Sequence, residues 1–249
     1  MTRTSEIDHY LNDLLGVAQF KDYGPNGLQV QGKATTARWV GGVTASRALI
    51  HAAIEQQADA VLVHHGLFWR GQDGRLTGWL AERVRSLMVH GINLFAYHLP
   101  LDAHPEFGNN AQLGRRMGWL PEGQFGEQGL GWLGRLPEPQ DLAGLAQHID
   151  RELGRVPLVL PGDGRALRRV AWCTGGAQGY FEAAIAAGVD VFVTGEVSEP
   201  QMHWAAESGV AFVAAGHHAT ERGGVQALGQ HLAERFDLAW TFIDLPNPA

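Results

Sequence analysis

The strongest constraint on how this chain can fold is that it carries one pattern twice. The stretch "RWVGGVTASRALIHAAIEQQADAVLVHHG", from Arg38, runs alongside "RRVAWCTGGAQGYFEAAIAAGVDVFVTGE", from Arg168. Val40 and Thr44 fall opposite Val170 and Thr174 at one offset. Ile54 and Asp59 fall opposite Ile185 and Asp190 after a one-residue shift. Downstream, "GINLFAYH" from Gly91 matches "GVAFVAAGHH" from Gly209. Each copy reads as an apolar strand, a helix and a second apolar strand, which is the signature of an α/β fold with a mainly parallel sheet. Two independent β-α-β units obeying the same rules would look similar, but persistence of both order and spacing points to duplication.

The expected class is therefore α/β: two similar, interlocked α/β lobes with mainly parallel sheets and a site in the cleft between them. In the first lobe a helix is expected over 5–15 with Ser5 as its cap, then a strand over 38–43 and a helix over 46–57. A strand over 60–63, a helix over 80–89, a strand over 92–97 and a helix over 110–117 follow. The Gly- and Pro-rich "LPEGQFGEQGLGWLGRLPEPQ" (120–140) lacks helical periodicity and reads as a connection with an edge strand. Asp141 is placed to cap a helix ending at Leu153. These signals put the first lobe at 1–125 and the linker element with the second lobe at 126–249, together one structural unit.

Composition narrows the function classes. A formal charge of −7 argues against broad nucleic-acid binding, which needs clustered Lys and Arg, although a locally basic surface would escape that argument. One cysteine, Cys173, excludes an internal disulfide framework and suits a reducing cytoplasm. The start lacks an apolar signal core and no run is long enough for a membrane span, so no membrane partner is expected. The unusual count is 12 histidines. His51, His90, His148, His203 and His231 fall in helix-like patterns and read as solvated or half-buried.

The remaining histidines gather where strands end. His64 and His65 close the run "ADAVLVHHG", and Asp102 follows the next strand. In "AAGHHATERGG", His217 and Glu221 are four apart, which puts them on one face of a helical turn; His218 with Glu221, three apart, is the alternative pair. In α/β sheets the carboxyl ends of strands are where ligands collect. Three imidazoles and two carboxylates make a nitrogen and oxygen site for divalent ions. If one carboxylate bridges, the set holds two ions, each with open positions, roughly 3.5–4 Å apart and able to share a hydroxide. Two dications, two carboxylates and one hydroxide leave about +1, a net attraction for a phosphate or similar anion. The plainer reading of the same residues is loop histidines that satisfy backbone groups.

Neighbouring residues have two readings each. His98 fits a group that orients a ligand or carries a proton, and equally a strand-end cap; His104 fits a structural cap. Asn109 and Asn110 fit helix caps or amides facing substrate. Trp69, Arg70 and Arg222 fit surface positions, or an aromatic plane and guanidinium groups beside a nucleotide. "CTGGAQG" (173–179) lacks the Lys-Ser/Thr of a phosphate-binding loop and reads as a tight strand-to-helix turn.

Taken together, "YGPNGLQVQG", "GVTAS", "DAVLVHHG", "HLPLDAHPEFGNN", "TGEVSE" and "AAGHHATERGG" resemble the bacterial GTP cyclohydrolase I type 2 family, also called the Ngg-interacting-factor-like family. The likeness covers nearly the whole chain, in its compact form. It implies a dinuclear metal centre with ligands His64, His65, Asp102, His217 and Glu221, resolving the His217/His218 choice, and a toroidal homohexamer built as a trimer of dimers. Gly66 departs from the proline many relatives place after the histidine pair, which affects the turn more than the ligands. The implied activity is hydrolysis of the GTP imidazole ring, in which a metal-bound water attacks C8 and formate leaves, with Glu221 or His98 as proton carriers. The ion is open among Zn, Mn, Fe, Co and Ni, since no thiolate selects one. Two alternatives stay open: a non-catalytic ring that delivers metal or aids assembly, and a ring that handles nucleic acid in damage response.

Overall fold

The computed structural model describes Met1–Ala249. In chain order the elements are β1 (Thr2–Arg3), α1 (Thr4–Leu14), β2 (Gly27–Val30), β3 (Thr35–Thr36), β4 (Arg38–Thr44), α2 (Arg47–Glu55), β5 (Ala60–His65), α3 (Gly78–Val89), β6 (Asn93–Ala96), α4 (Leu99–Ala103) and α5 (Asn109–Met117). Then come β7 (Leu120–Phe125), β8 (Gly131–Gln140), α6 (Leu142–Leu153), β9 (Leu158–Leu160), β10 (Leu167–Trp172), α7 (Phe181–Ala186), β11 (Val191–Thr194), α8 (Glu199–Ser208), β12 (Ala211–Ala214), α9 (His217–Thr220), α10 (Arg222–Phe236) and β13 (Ala239–Phe242). The α/β class is as expected. None of the helices is long and apolar enough to cross a membrane.

Two compact units result, Met1–Gly108 with Gly224–Pro246, and Asn109–Gly223 with Asn247–Ala249. The break falls at 108/109, upstream of the expected 125. The first unit is discontinuous, because β13 pairs in parallel with β4 and so returns the C-terminal segment to the first sheet.

The first unit's sheet has the order β13-β4-β5-β6-β2, parallel except for β2. Its strands are apolar at consecutive positions because both faces are covered. Along β5, Val61 and Val63 join one buried cluster with Leu49, Ile50, Val84 and Leu87, while Ala60 and Leu62 join another with Ile7, Leu11, Val225 and Leu228. Trp240 fills a slot that exists only because Gly41 and Gly229 have no side chains; a Cβ at either would collide with its indole. Helix α1 starts at Thr4 and has no side-chain cap. Ser5 is not the cap expected, because Thr4 is buried and its hydroxyl donates to the Lys33 carbonyl (2.7 Å), anchoring the start instead. Ser46 does cap α2, accepting from Leu49 N at 3.1 Å.

The second unit's sheet has the order β7-β8-β10-β11-β12-β9. It is mixed rather than mainly parallel: β10, β11 and β12 are parallel, and β7, β8 and β9 pair antiparallel. The expected connection over 120–140 is thus a two-stranded hairpin. Its Gly and Pro residues disguise it, yet Gly134 is needed where β8 passes close to the Leu120 carbonyl. Asp141 caps α6 as expected, accepting from Gly144 N at 2.7 Å. One face packs Leu145, Ile149 and Leu153 on Val170, Trp172 and Val191. Phe181 and Phe192 stack, and Phe212 meets both edge to face.

The repeat seen in the sequence recurs as topology. Each unit has three parallel strands flanked by an antiparallel one, β4-β5-β6-β2 and β10-β11-β12-β9. The matched aspartates do the same job. Asp59 accepts from the amides of Ala37 and Arg38 (2.9 and 3.0 Å), and Asp190 from those of Arg168 and Arg169 (both 2.9 Å). Each carboxylate thereby pins the start of its unit's first parallel strand.

Candidate metal centre

In the first unit, β5 runs through both histidines instead of stopping before them. Alternation sends His64 to the side of Ala60 and Leu62, and His65 to the side of Val61 and Val63. His64 is fully buried. Its Nδ1 lies 2.9 Å from the Tyr97 carbonyl, which can only accept, so Nδ1 carries the proton and Nε2 presents its lone pair. That Nε2 is 3.5 Å from Asp102 Oδ1, on the buried face of the short helix α4. His65 Nδ1 is 3.2 Å from Thr44 Oγ1, its neighbour across the β4–β5 register.

The loop leaving β6 supplies a third ring. His98 Nδ1 is 2.7 Å from Asp22 Oδ1, and Asp22 also accepts from Asn26 Nδ2 (2.8 Å) and Leu99 N (2.9 Å). Burial pushes the Asp22 carboxyl up, but His98, the Asn26 amide and the Tyr23 backbone N–H outweigh it and hold the group below its ordinary range. One ring nitrogen from each of His64, His65 and His98 lies within 4.8 Å of the others.

In the second unit, α9 presents His217, and Glu221 follows one turn on. His217 Nε2 is 3.2 Å from Glu221 Oε2, and Nδ1 is 2.6 Å from Glu196 Oε1. Burial pulls the imidazole down, yet Glu221 and Glu196 together raise its pKa to about 9. Two carboxylates around one ring demand positive charge, which a proton satisfies here and a divalent ion at Nε2 would satisfy better. Gly175, at φ +69°, makes this packing feasible: a Cβ there would lie 3.2 Å from His217 Nε2 and 3.1 Å from the Glu221 carboxyl carbon, with Oε1 nearer still. The loop is fixed by Thr220 Oγ1, which accepts from Gly175 N (3.0 Å), and by Asn110 Oδ1, which accepts from Thr174 N (2.9 Å).

The donor set fits a divalent metal. His64 and His217 each have Nδ1 held by an oxygen acceptor, leaving Nε2 as the ligand atom, the arrangement by which proteins orient metal-binding imidazoles. The expected ligands thus fall into two sets, His64, His65 and Asp102 in the first unit and His217 with Glu221 in the second. The neighbouring residues have partners of their own. The guanidinium of Arg70 donates to the Asp22 carbonyl (2.5 Å), and that of Arg222 to the Leu153 carbonyl (2.5 Å), so both brace backbone. Asn110 lies inside α5 and ties the 174–175 loop rather than capping the helix. His104 does cap a turn, its Nδ1 accepting from Glu106 and Phe107 amides. Trp69 stands edge-on to His98, ring centroids 5.1 Å apart.

Asp22, Thr44, Gly175 and Glu196 were missed in the sequence. Asp22 and Gly175 had no signal beyond their neighbourhood. Glu196 lies within "TGEVSE", at the strand end opposite "VHH", and that alignment was enough to find it.

Comparison with known proteins shows which family and fold the chain shares. The family model described as Duf34/NIF3 (NGG1p interacting factor 3) matches residues 2–248. A protein of Allochromatium vinosum named a GTP cyclohydrolase 1 type 2 homolog is 52% identical over 250 residues, covering 100% of this chain and 98% of its own. Among solved structures, the structural-genomics protein ybgI, of unknown function, superposes with a TM-score of 0.97 at 48% identity, covering 100% of both chains. TTHA1606 from Thermus thermophilus does so with a TM-score of 0.91 at 36% identity, again over 100% of both.

Proposed function

The chain belongs to the Duf34/NIF3 family, and from that premise we propose that it is a hydrolase dependent on two divalent metal ions, acting on a nucleotide or a related phosphorylated small molecule. Hydrolytic opening of the GTP imidazole ring with loss of formate is the specific reaction proposed, in keeping with the name its relatives carry. The two ligand sets are proposed to close on one centre, and the chain to act in the cytoplasm as a homohexamer, a trimer of dimers. The carrying observation is the orientation of His64 and His217, whose Nδ1 atoms are both engaged by fixed oxygen acceptors.

When bound, the ions supply Lewis-acid activation of water and neutralise negative charge on the substrate. The chain's own residues do the rest. Tyr97 O and Glu196 fix the ring planes of His64 and His217. Glu221, buried against His217, would help hold the ions from the second unit, and Glu221 or His98 is the proposed proton carrier. The burial of His64 and Asp102 in one set, and of Glu221 in the other, keeps bulk water from the ligand atoms.

The test is metal quantification alongside formate release from GTP, in the native protein and in His64→Ala. Joint loss of metal and formate supports the hydrolase. Tightly bound, exchangeable metal with no turnover of any nucleotide transfers support to a metal-delivery role, and retention on DNA at physiological salt transfers it to nucleic-acid handling.

A further inference from the structure

The third imidazole beside the doubled histidine has no role in the ligand set above, and its setting is that of a ligand. We infer that His98 is itself a metal-binding residue, completing with His64 and His65 a three-imidazole face that holds one divalent ion within the first unit alone. This rests on the metal reading of His64 and His65 and adds a ligand, and a loading position, to it.

Three observations carry the assignment. One nitrogen of each ring lies within 4.8 Å of the other two, close enough for a single ion at ordinary nitrogen–metal distances of about 2.0–2.1 Å after small rotations. All three rings are held at Nδ1 by an oxygen: His64 by the Tyr97 carbonyl, His65 by the Thr44 hydroxyl and His98 by the Asp22 carboxylate. Each therefore turns the same atom, Nε2, away from its anchor. Asp22 is itself fixed, with its side chain 4% exposed, by Asn26, Leu99 N and Tyr23 N. The same network ties the 22–26 loop to the segment leaving β6, and through Asp22 it also fixes the angle at which the His98 ring presents Nε2.

The chemistry selects the ion class. Three neutral nitrogen donors suit Zn, Co, Ni or Cu and disfavour Mg and Ca, which require oxygen. A face of this kind leaves the fourth position open, so the ion it captures stays exchangeable. An ion caught here would be available to the carboxylate-bearing positions of the complete centre, and the face would act as the entry station for loading.

Co²⁺ serves as the probe, in the full-length chain. Native protein is expected to take two equivalents. The His217→Ala/Glu221→Ala variant is expected to keep one, with a visible spectrum of a low-coordinate, nitrogen-bound ion. In that background His98→Ala is expected to weaken Co²⁺ at least about 100-fold and to change the spectrum, and Asp22→Asn to weaken it about 10–100-fold. Added free imidazole should restore the spectrum in His98→Gly, which a merely structural role would not permit. Mg²⁺ in large excess should not displace the ion. His98→Asn replaces the alanine variant if denaturation shows the latter to be misfolded. The inference is overturned if the background variant holds no Co²⁺, or if His98 substitution leaves its affinity and spectrum unchanged, as a pure proton carrier would. Native protein that binds no ion at all sinks the dinuclear reading as well, so the two failures are distinguishable.

Discussion

Gly175→Ala is the smallest change that should disable the second ligand set. The added Cβ would sit 3.1 Å from the Glu221 carboxyl carbon and closer to its Oε1. Ordinary contacts lie near about 3.5–4.0 Å, and the nearer Oε1 sets the demand, so the carboxylate must withdraw by more than about 1 Å. A long glutamate in solvent would do this cheaply. Glu221 is buried and paired with His217 at 3.2 Å, so its retreat breaks that pair or drags α9 with it. Ligand positions in metal sites tolerate only about ±0.2 Å, so the predicted loss in metal affinity is at least ~100-fold, or about 2.7 kcal/mol. The positive φ adds about 1–2 kcal/mol of strain to the fold regardless of metal. Isothermal titration with Co²⁺ and urea denaturation of the metal-free protein separate these two effects. Gly179→Ala, in the same loop but with open space around the new Cβ, is the control and should change neither. Native-like affinity in Gly175→Ala would show that the packing of Gly175 against Glu221 and His217 is irrelevant to the metal.

Further expectations concern stability. His217 is held at about 9 against an ordinary 6.5, a raised folded-state value, so its contribution is fully present below pH 6.5 and is lost as pH rises through about 9. Metal-free protein should therefore melt at lower temperature at pH 9.5 than at pH 7, and His217→Ala should flatten that slope; an unchanged slope refutes the two-carboxylate account. Metal binding below pH 9 should release a proton, seen as a dependence of the titration enthalpy on buffer ionisation heat. Chelation should lower the melting temperature, since an ion present at ~1,000 times its Kd stabilises by about 4 kcal/mol. Asp59→Ala and Asp190→Ala each leave two strand-start amides without their acceptor, and each should cost about 1–3 kcal/mol in urea denaturation; a cost confined to one of them would break the equivalence of the two units.

What was legible in the sequence was periodic. The strands Ala60–His65 and Val191–Thr194 are apolar at consecutive positions because both faces of each sheet are covered, and the matched Asp59 and Asp190 announced a shared architecture that the topology repeats. What stayed hidden depends on contacts across long sequence separation. The hairpin of β7 and β8 was masked because its glycines answer to close approaches, of Leu120 O for example, that no local window shows. The return of 224–246 to the first unit depends on β13 pairing with β4, about 200 residues away in sequence. Ser5 looks like a cap from spacing alone, but Thr4 reaches Lys33 and moves the helix start. Among site residues, those that donate directly cluster in readable motifs, whereas Asp22 and Glu196 act by holding a ring from behind, and many sequences would meet that need.

The central claim is that His64, His65, Asp102, His217 and Glu221 hold a pair of divalent ions in one centre. Anomalous diffraction from crystals grown with Co²⁺ or Zn²⁺ tests it most directly. The account predicts two peaks roughly 3.5–4 Å apart, both within bonding distance of side chains from the two ligand sets. A single ion bound by one set alone, or no peak at either, contradicts it.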